Sequence, residues 1–181
     1  MKGGDLPHKN SCYANSSSKG KMGNYRNFEQ DFVTRTIDLI EQYNGLIANE
    51  PFERQFNYTL TLNCLLGLIV MPKERAINCI PRERLTLDFK QRMGLQHSEL
   101  PDAQTNLRQL IIKIRHSIAH FDIEVESIDE HRLVNYVNFK DTDTKQIYAR
   151  FSANEIFPFL QFYSTLLVNS MRQQQRHREL A

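Results

Sequence analysis

Three side chains able to do chemistry at neutral pH crowd into the six residues Arg115-His116-Ser117-Ile118-Ala119-His120. An imidazole gives and takes protons near pH 7. A guanidinium is a permanent planar cation whose fork of N–H donors matches carboxylate or phosphate oxygens. Together they can hold an anion and move a proton beside it. Two imidazoles at i and i+4 also lie on one helical face and can bind a metal ion. The helix supplies no cysteine or carboxylate beside them as a third ligand, so the metal alternative has less support.

The elements around these residues decide how they are presented. Leu107, Leu110, Ile111, Ile114 and Ile118 follow the i, i+3, i+4, i+7 spacing of a buried helical face. At about 100° per residue, Arg115 falls at the edge of that stripe, and His116 and His120 fall nearly opposite, with Ile112 and Ala119. A helix with one buried face and a second face of isoleucine, alanine and two histidines has two surfaces to cover. The simplest cover for the second is another chain. Arg115 and His120 differ by about 140° around the axis, so they are poorly placed to grip one phosphate within a single chain.

Composition narrows the class. The 181 residues suit one domain with a real core, and 40% hydrophobic with 24% charged residues reads as globular. A net charge of +2 excludes a strong overall polyanion-binding field, so any nucleic-acid contact must be local. Cys12, Cys64 and Cys79 cannot all pair within one chain and read as reduced thiols. The most apolar run, Leu60 to Met71, is interrupted by Thr61, Asn63 and Gly67 and falls short of the ~20 residues of a spanning helix. Residues 1–24 have no signal-peptide core. The expectation is a cytoplasmic protein with no membrane partner.

Residues 1–24, rich in Gly, Ser, Asn and Lys, are expected to be disordered. Asn27 with Gln30 forms a capping-box-like start for a helix to about Ala48, with Phe28, Phe32, Thr36, Ile40, Tyr43 and Ile47 inward. A central apolar helix should run from about Glu53 to Met71, where Pro72 stops it. Residues 81–94, with Arg82, Arg84, Lys90 and Arg92, read as a connector holding a short helix; its cations form a solvated face or guide a phosphate backbone. The third long helix is expected from Pro101-Asp102 to about His120. Ile123–Glu126, Leu133–Phe139 and Ile147–Phe151 then alternate like strands, with a turn at 141–144. Ser152 to Glu155 has the pattern of a capping box, with Phe151 and Ile156 as a hydrophobic staple. The last helix should reach about Met171 with Pro158 kinking its first turns, and 173–181 is a polar basic tail. His97 and His131 have no visible partner and receive no role.

Four long helices, the Arg-x4-His motif closing the third, the apolar run Leu65-Leu-Gly-Leu-Ile-Val-Met-Pro-Lys73 and a hairpin before the final helix resemble the HEPN superfamily, specifically a plasmid-borne bacterial branch. The resemblance covers roughly residues 26–171. It implies a mainly α fold, a four-to-five-helix bundle with a small β-hairpin before the last long helix, occupying 25–172. It further implies a metal-independent endoribonuclease without cofactor, acting as a homodimer that brings two motifs into one cleft. Two copies across a two-fold axis would set an arginine and a histidine from different chains side by side.

On that reading the RNA 2′-hydroxyl attacks the adjacent phosphate, His120 is the acid/base, Arg115 stabilises the phosphate, and His116 orients it or serves as a second acid. A toxin–antitoxin or plasmid/phage-conflict role follows, with an antitoxin protein as a further partner. In one branch of the superfamily a tyrosine two residues after the motif histidine is nucleotidylated by the antitoxin. Here that position is Asp122, which argues against that control. The other reading is a non-catalytic dimeric helical module that binds nucleotide, RNA or a protein partner. Apart from either function, Arg115 could be an ordinary surface residue salt-bridged to Asp122 or Glu124.

Overall fold

The computed structural model describes residues 25–179 apart from 73, 129, 131 and 132. The segment expected to be disordered, with Cys12, and also His131, lie outside the described residues. The fold is mainly α, with a small antiparallel sheet inserted before the last long helix.

Helix α1 (Phe28–Ile47) starts where Asn27 predicts. The Asn27 side chain accepts from the Gln30 N–H, but Asp31, not Gln30, returns the favour by accepting from the Asn27 N–H at 2.9 Å. Val33, Thr36 and Ile40 are buried, whereas Phe28 stays half-exposed with its ring beside Phe32. A single 3-10 turn (Phe52–Arg54) precedes α2 (Asn57–Val70), which therefore starts four residues later than its composition suggests. Pro51 and the extended Gln55 account for the break. α2 packs against α1, and both pack against the last helix.

A short α3 (Glu74–Ile77) and α4 (Leu87–Arg92, capped by Thr86) cross the connector. At the end of α4, Gly94 has φ +77°, and an added Cβ would lie 2.6 Å from the Pro158 Cβ. Only glycine combines that backbone with so close an approach.

α5 (Leu107–Ala119) begins five residues after Pro101-Asp102. The reason is tertiary. Arg84 and Asn106 form an antiparallel bridge, with Leu85 N donating to Thr105 O and Leu107 N to Glu83 O. Residues up to 106 are thereby held extended, and Asp102 accepts from Gln104 N in a turn instead of starting a helix. The cap is a reciprocal Asn106–Gln109 box with both bonds at 3.0 Å.

β1 (Ile123–Glu126), β2 (Tyr136–Lys140) and β3 (Ile147–Ser152) form one sheet in the order β1-β2-β3, so all three expected strands are present and the hairpin of β2 and β3 is extended by β1. Register pairs Val125 with Val137 and Val137 with Phe151. Val137, Phe139, Ala149 and Phe151 face the core, where Phe151 meets Phe159 at 5.1 Å.

α6 (Ala153–Glu179) outruns the expected end at Met171. Its apolar stripe does stop there, but Arg172 to Glu179 contains neither Gly nor Pro and is rich in the good helix formers Gln and Arg. Pro158 lies within the helix. The expected Ser152–Glu155 capping box does not form. Glu155 is buried and accepts instead from Gln96 N, His97 N, Ser98 N and Ser98 Oγ, while Ser152 N donates to Ser98 Oγ. Among the described residues, no helix is long and apolar enough to cross a membrane.

Candidate functional site

α5 presents its two faces as the periodicity requires. Leu107, Leu110, Ile111, Ile114 and Ser117 are buried. Ile112, His116, Ala119 and His120 are exposed, and the two imidazole rings lie 4.6 Å apart, tilted by 50°. His120 is the C-cap of the helix. The two histidines are thus brought together at an uncovered surface.

Arg115 is not brought to them. Half-buried at the edge of the stripe, it donates from Nη1 to the Pro72 carbonyl at 3.0 Å, bridging α5 to the end of α2. Its charge is felt by Tyr163 on α6. Burial pushes the Tyr163 hydroxyl well above its usual range, and the Arg115 cation partly offsets this. The Tyr163 hydroxyl has no hydrogen-bond partner among the described residues. The acidic partners expected for Arg115 as a salt-bridging residue are engaged elsewhere: Asp122 with Lys145 at 2.7 Å and Glu124 with Lys140 at 2.6 Å.

The turn after the helix has a specific construction. Phe121 N donates to Ile118 O and Asp122 N to Ser117 O, the paired bonds of a Schellman cap. The residue between cap and exit must be left-handed, a place usually held by glycine. Here it is Phe121, with φ +58° and its side chain 87% exposed. A left-handed conformation costs a non-glycine residue roughly 1–2 kcal/mol. Sequence reasoning gave Phe121 no role; its place directly after His120 was the available signal.

Ser117, in the middle of the motif, fixes this end of α5 to the sheet. Its Oγ donates to the Lys140 carbonyl at 2.7 Å and lies within hydrogen-bond distance of the Tyr148 hydroxyl at 3.2 Å. Burial pushes the Tyr148 hydroxyl far above its ordinary value, so it stays protonated. The hydrogen bond from Lys145 holds the Asp122 carboxyl below its usual range, with smaller contributions from Thr142 and His120.

The remaining candidates are accounted for by the fold. Arg92 pairs with Glu83 and Asp88 and covers the Phe89 ring, leaving Arg82 and Arg84 as exposed cations of the connector. Cys64 is a buried thiol pushed up by desolvation. Among the described residues, no group of three or more His, Cys, Asp or Glu is placed to hold a metal ion.

A helical bundle with a small sheet before its last helix, and an Arg-x4-His sequence closing the helix that leads into that sheet, defines a HEPN-type domain. The family model described as HEPN pEK499 p136 matches residues 22–174, and the chain belongs to that family. No curated protein and no solved structure matches it.

Proposed function

We propose that this HEPN domain is a metal-independent endoribonuclease that works as a homodimer. The observation carrying the proposal is the exposed pair His116 and His120, set beside the uncovered Ile112 and Ala119 at the end of α5. A second copy docked on that face would cover the apolar stripe and bring the partner's motif to the same cleft.

The reaction balances without a co-reactant. His120 takes the proton from a ribose 2′-hydroxyl as O2′ bonds to phosphorus. The bond from phosphorus to the 5′-oxygen breaks, and a protonated imidazole returns a proton to the leaving oxygen. The products are a 2′,3′-cyclic phosphate and a 5′-hydroxyl. Arg115 offers its remaining guanidinium donors to the charged phosphorane oxygens. Its bond to Pro72 occupies one nitrogen and holds the fork in place.

The engagement of Arg115 with the Pro72 carbonyl also favours a second reading, in which the domain is a dimeric module that binds nucleotide, RNA or a protein without cutting. A toxin–antitoxin or plasmid/phage-conflict setting in the cytoplasm fits either. With Asp122 at the position of the nucleotidylated tyrosine, an antitoxin would have to act by covering the surface instead.

The purified chain incubated with total RNA in excess EDTA should produce fragments ending in 2′,3′-cyclic phosphate. Cleavage that stops with EDTA and returns with a divalent cation would replace this reading with a metal-dependent one. Intact RNA under all conditions would leave the binding module.

A further inference from the structure

Phe121 is the least economical residue at the site. A large ring stands almost wholly in solvent on a left-handed backbone where glycine would sit without strain. Strain of this kind persists where the side chain has work that the fold does not require. The ring follows His120 directly, and His120 already lies against His116. Three aromatic residues therefore fall within six positions at one end of α5, two of them in ring contact.

A ligand long enough to reach from Phe121 back over the last turn of α5 also meets the imidazoles. A surface of aliphatic side chains alone would strip water from the two exposed imidazoles without replacing their hydrogen bonds. A nucleotide suits the mixture better: a base offers a flat face to the phenyl ring, and its phosphate offers acceptors to the imidazole N–H groups.

We infer that Phe121 is a stacking platform for a nucleobase of single-stranded RNA, placing the nucleotide next to the scissile phosphate against His116 and His120. The inference rests on the nuclease reading for the word scissile, but stacking itself needs no cleavage. It makes Phe121 a positioning and affinity residue, not a catalytic one.

The test uses the full chain and a fluorescein-labelled single-stranded RNA 12-mer in which every ribose is 2′-O-methylated, so that no 2′-hydroxyl is available for cleavage. Phe121→Gly should weaken binding by about tenfold or more, the loss expected for one stacked base. Phe121→Tyr should keep native affinity, and Phe121→Leu, apolar but not flat, should lose it. The Phe121→Gly thermal midpoint should match or exceed the native one, because little packing is lost and the left-handed strain is relieved. Native affinity in Phe121→Gly would overturn the inference. So would Phe121→Leu binding like wild type, or a dimer in sedimentation that becomes monomeric only when Phe121 is replaced, which would assign the ring to contact between copies. Failure of the nuclease reading looks different: native chain that binds the 12-mer through Phe121 yet leaves unmodified RNA intact.

Discussion

Replacing His120 by alanine is expected to slow RNA cleavage by about 10²–10⁴-fold, the usual loss when a general acid/base is removed. The fold should not follow. His120 is exposed at the C-cap of α5, and its ring contact is with His116, another surface residue. Its backbone N–H donates to the His116 carbonyl, a bond alanine keeps. Far-UV dichroism and the thermal midpoint should therefore stay near native while the cleavage rate collapses. A folded His120→Ala protein that cuts at the native rate would remove the imidazole from the chemistry. Arg115→Lys is the informative companion. Lysine can still reach the Pro72 carbonyl with one donor, but cannot present a planar fork to phosphate.

The largest expected effect on stability lies away from the site, at Glu155. This carboxylate accepts from three consecutive backbone N–H groups, Gln96 and His97 at 2.8 Å and Ser98 at 2.9 Å, and from Ser98 Oγ at 2.7 Å. Glu155→Gln keeps the shape but turns an amide NH2 toward N–H donors. Leaving buried donors unmet costs about 1–3 kcal/mol each, so a net loss of about 3 kcal/mol is expected. For a chain of this size that is a fall of about 6–12 °C in thermal midpoint.

The pH dependence of this effect has a definite sign. Burial raises the Glu155 pKa, but the hydrogen bonds from Ser98, His97 and Gln96 outweigh it, and the folded value lies below the ordinary 4.5. A carboxyl lowered on folding contributes stability that is present above the unfolded pKa and lost as pH falls through the folded one. Thermal melts should therefore show the gap between native and Glu155→Gln wide at pH 7 and narrowing below pH 4.5. A gap that stays constant down to pH 3 would mean that the carboxylate charge is not what holds the 96–98 loop.

The core helices were legible because their signals are local. Asn27 marked the start of α1, and the apolar period placed Leu107 to Ile114 inward and His116 and His120 outward. Two of the misreadings have distant causes. Pro101-Asp102 has the chemistry of a helix start, yet the bridge from Arg84 to Asn106 holds that segment extended. Ser152 and Glu155 have the spacing of a capping box, yet Glu155 is taken by a loop more than fifty residues earlier in the chain. At the candidate site, the side of α5 that each motif residue occupies followed from helical geometry. The attachment of Arg115 to Pro72, and the left-handed Phe121 that closes the helix, depend on a neighbouring helix end and a backbone twist that no residue pattern announces.

If one chain's guanidinium and another chain's imidazole complete each site, two inactive variants mixed together should restore activity. Arg115→Ala and His120→Ala proteins, each inactive alone, are unfolded together, refolded and assayed with RNA in EDTA. If sites are shared across a two-fold dimer, half of the dimers are mixed and one of their two sites is intact, so about a quarter of native activity returns. If the mixture stays as inactive as its components although sedimentation shows mixed dimers, the arginine and histidine do not act across the interface, and the account is wrong.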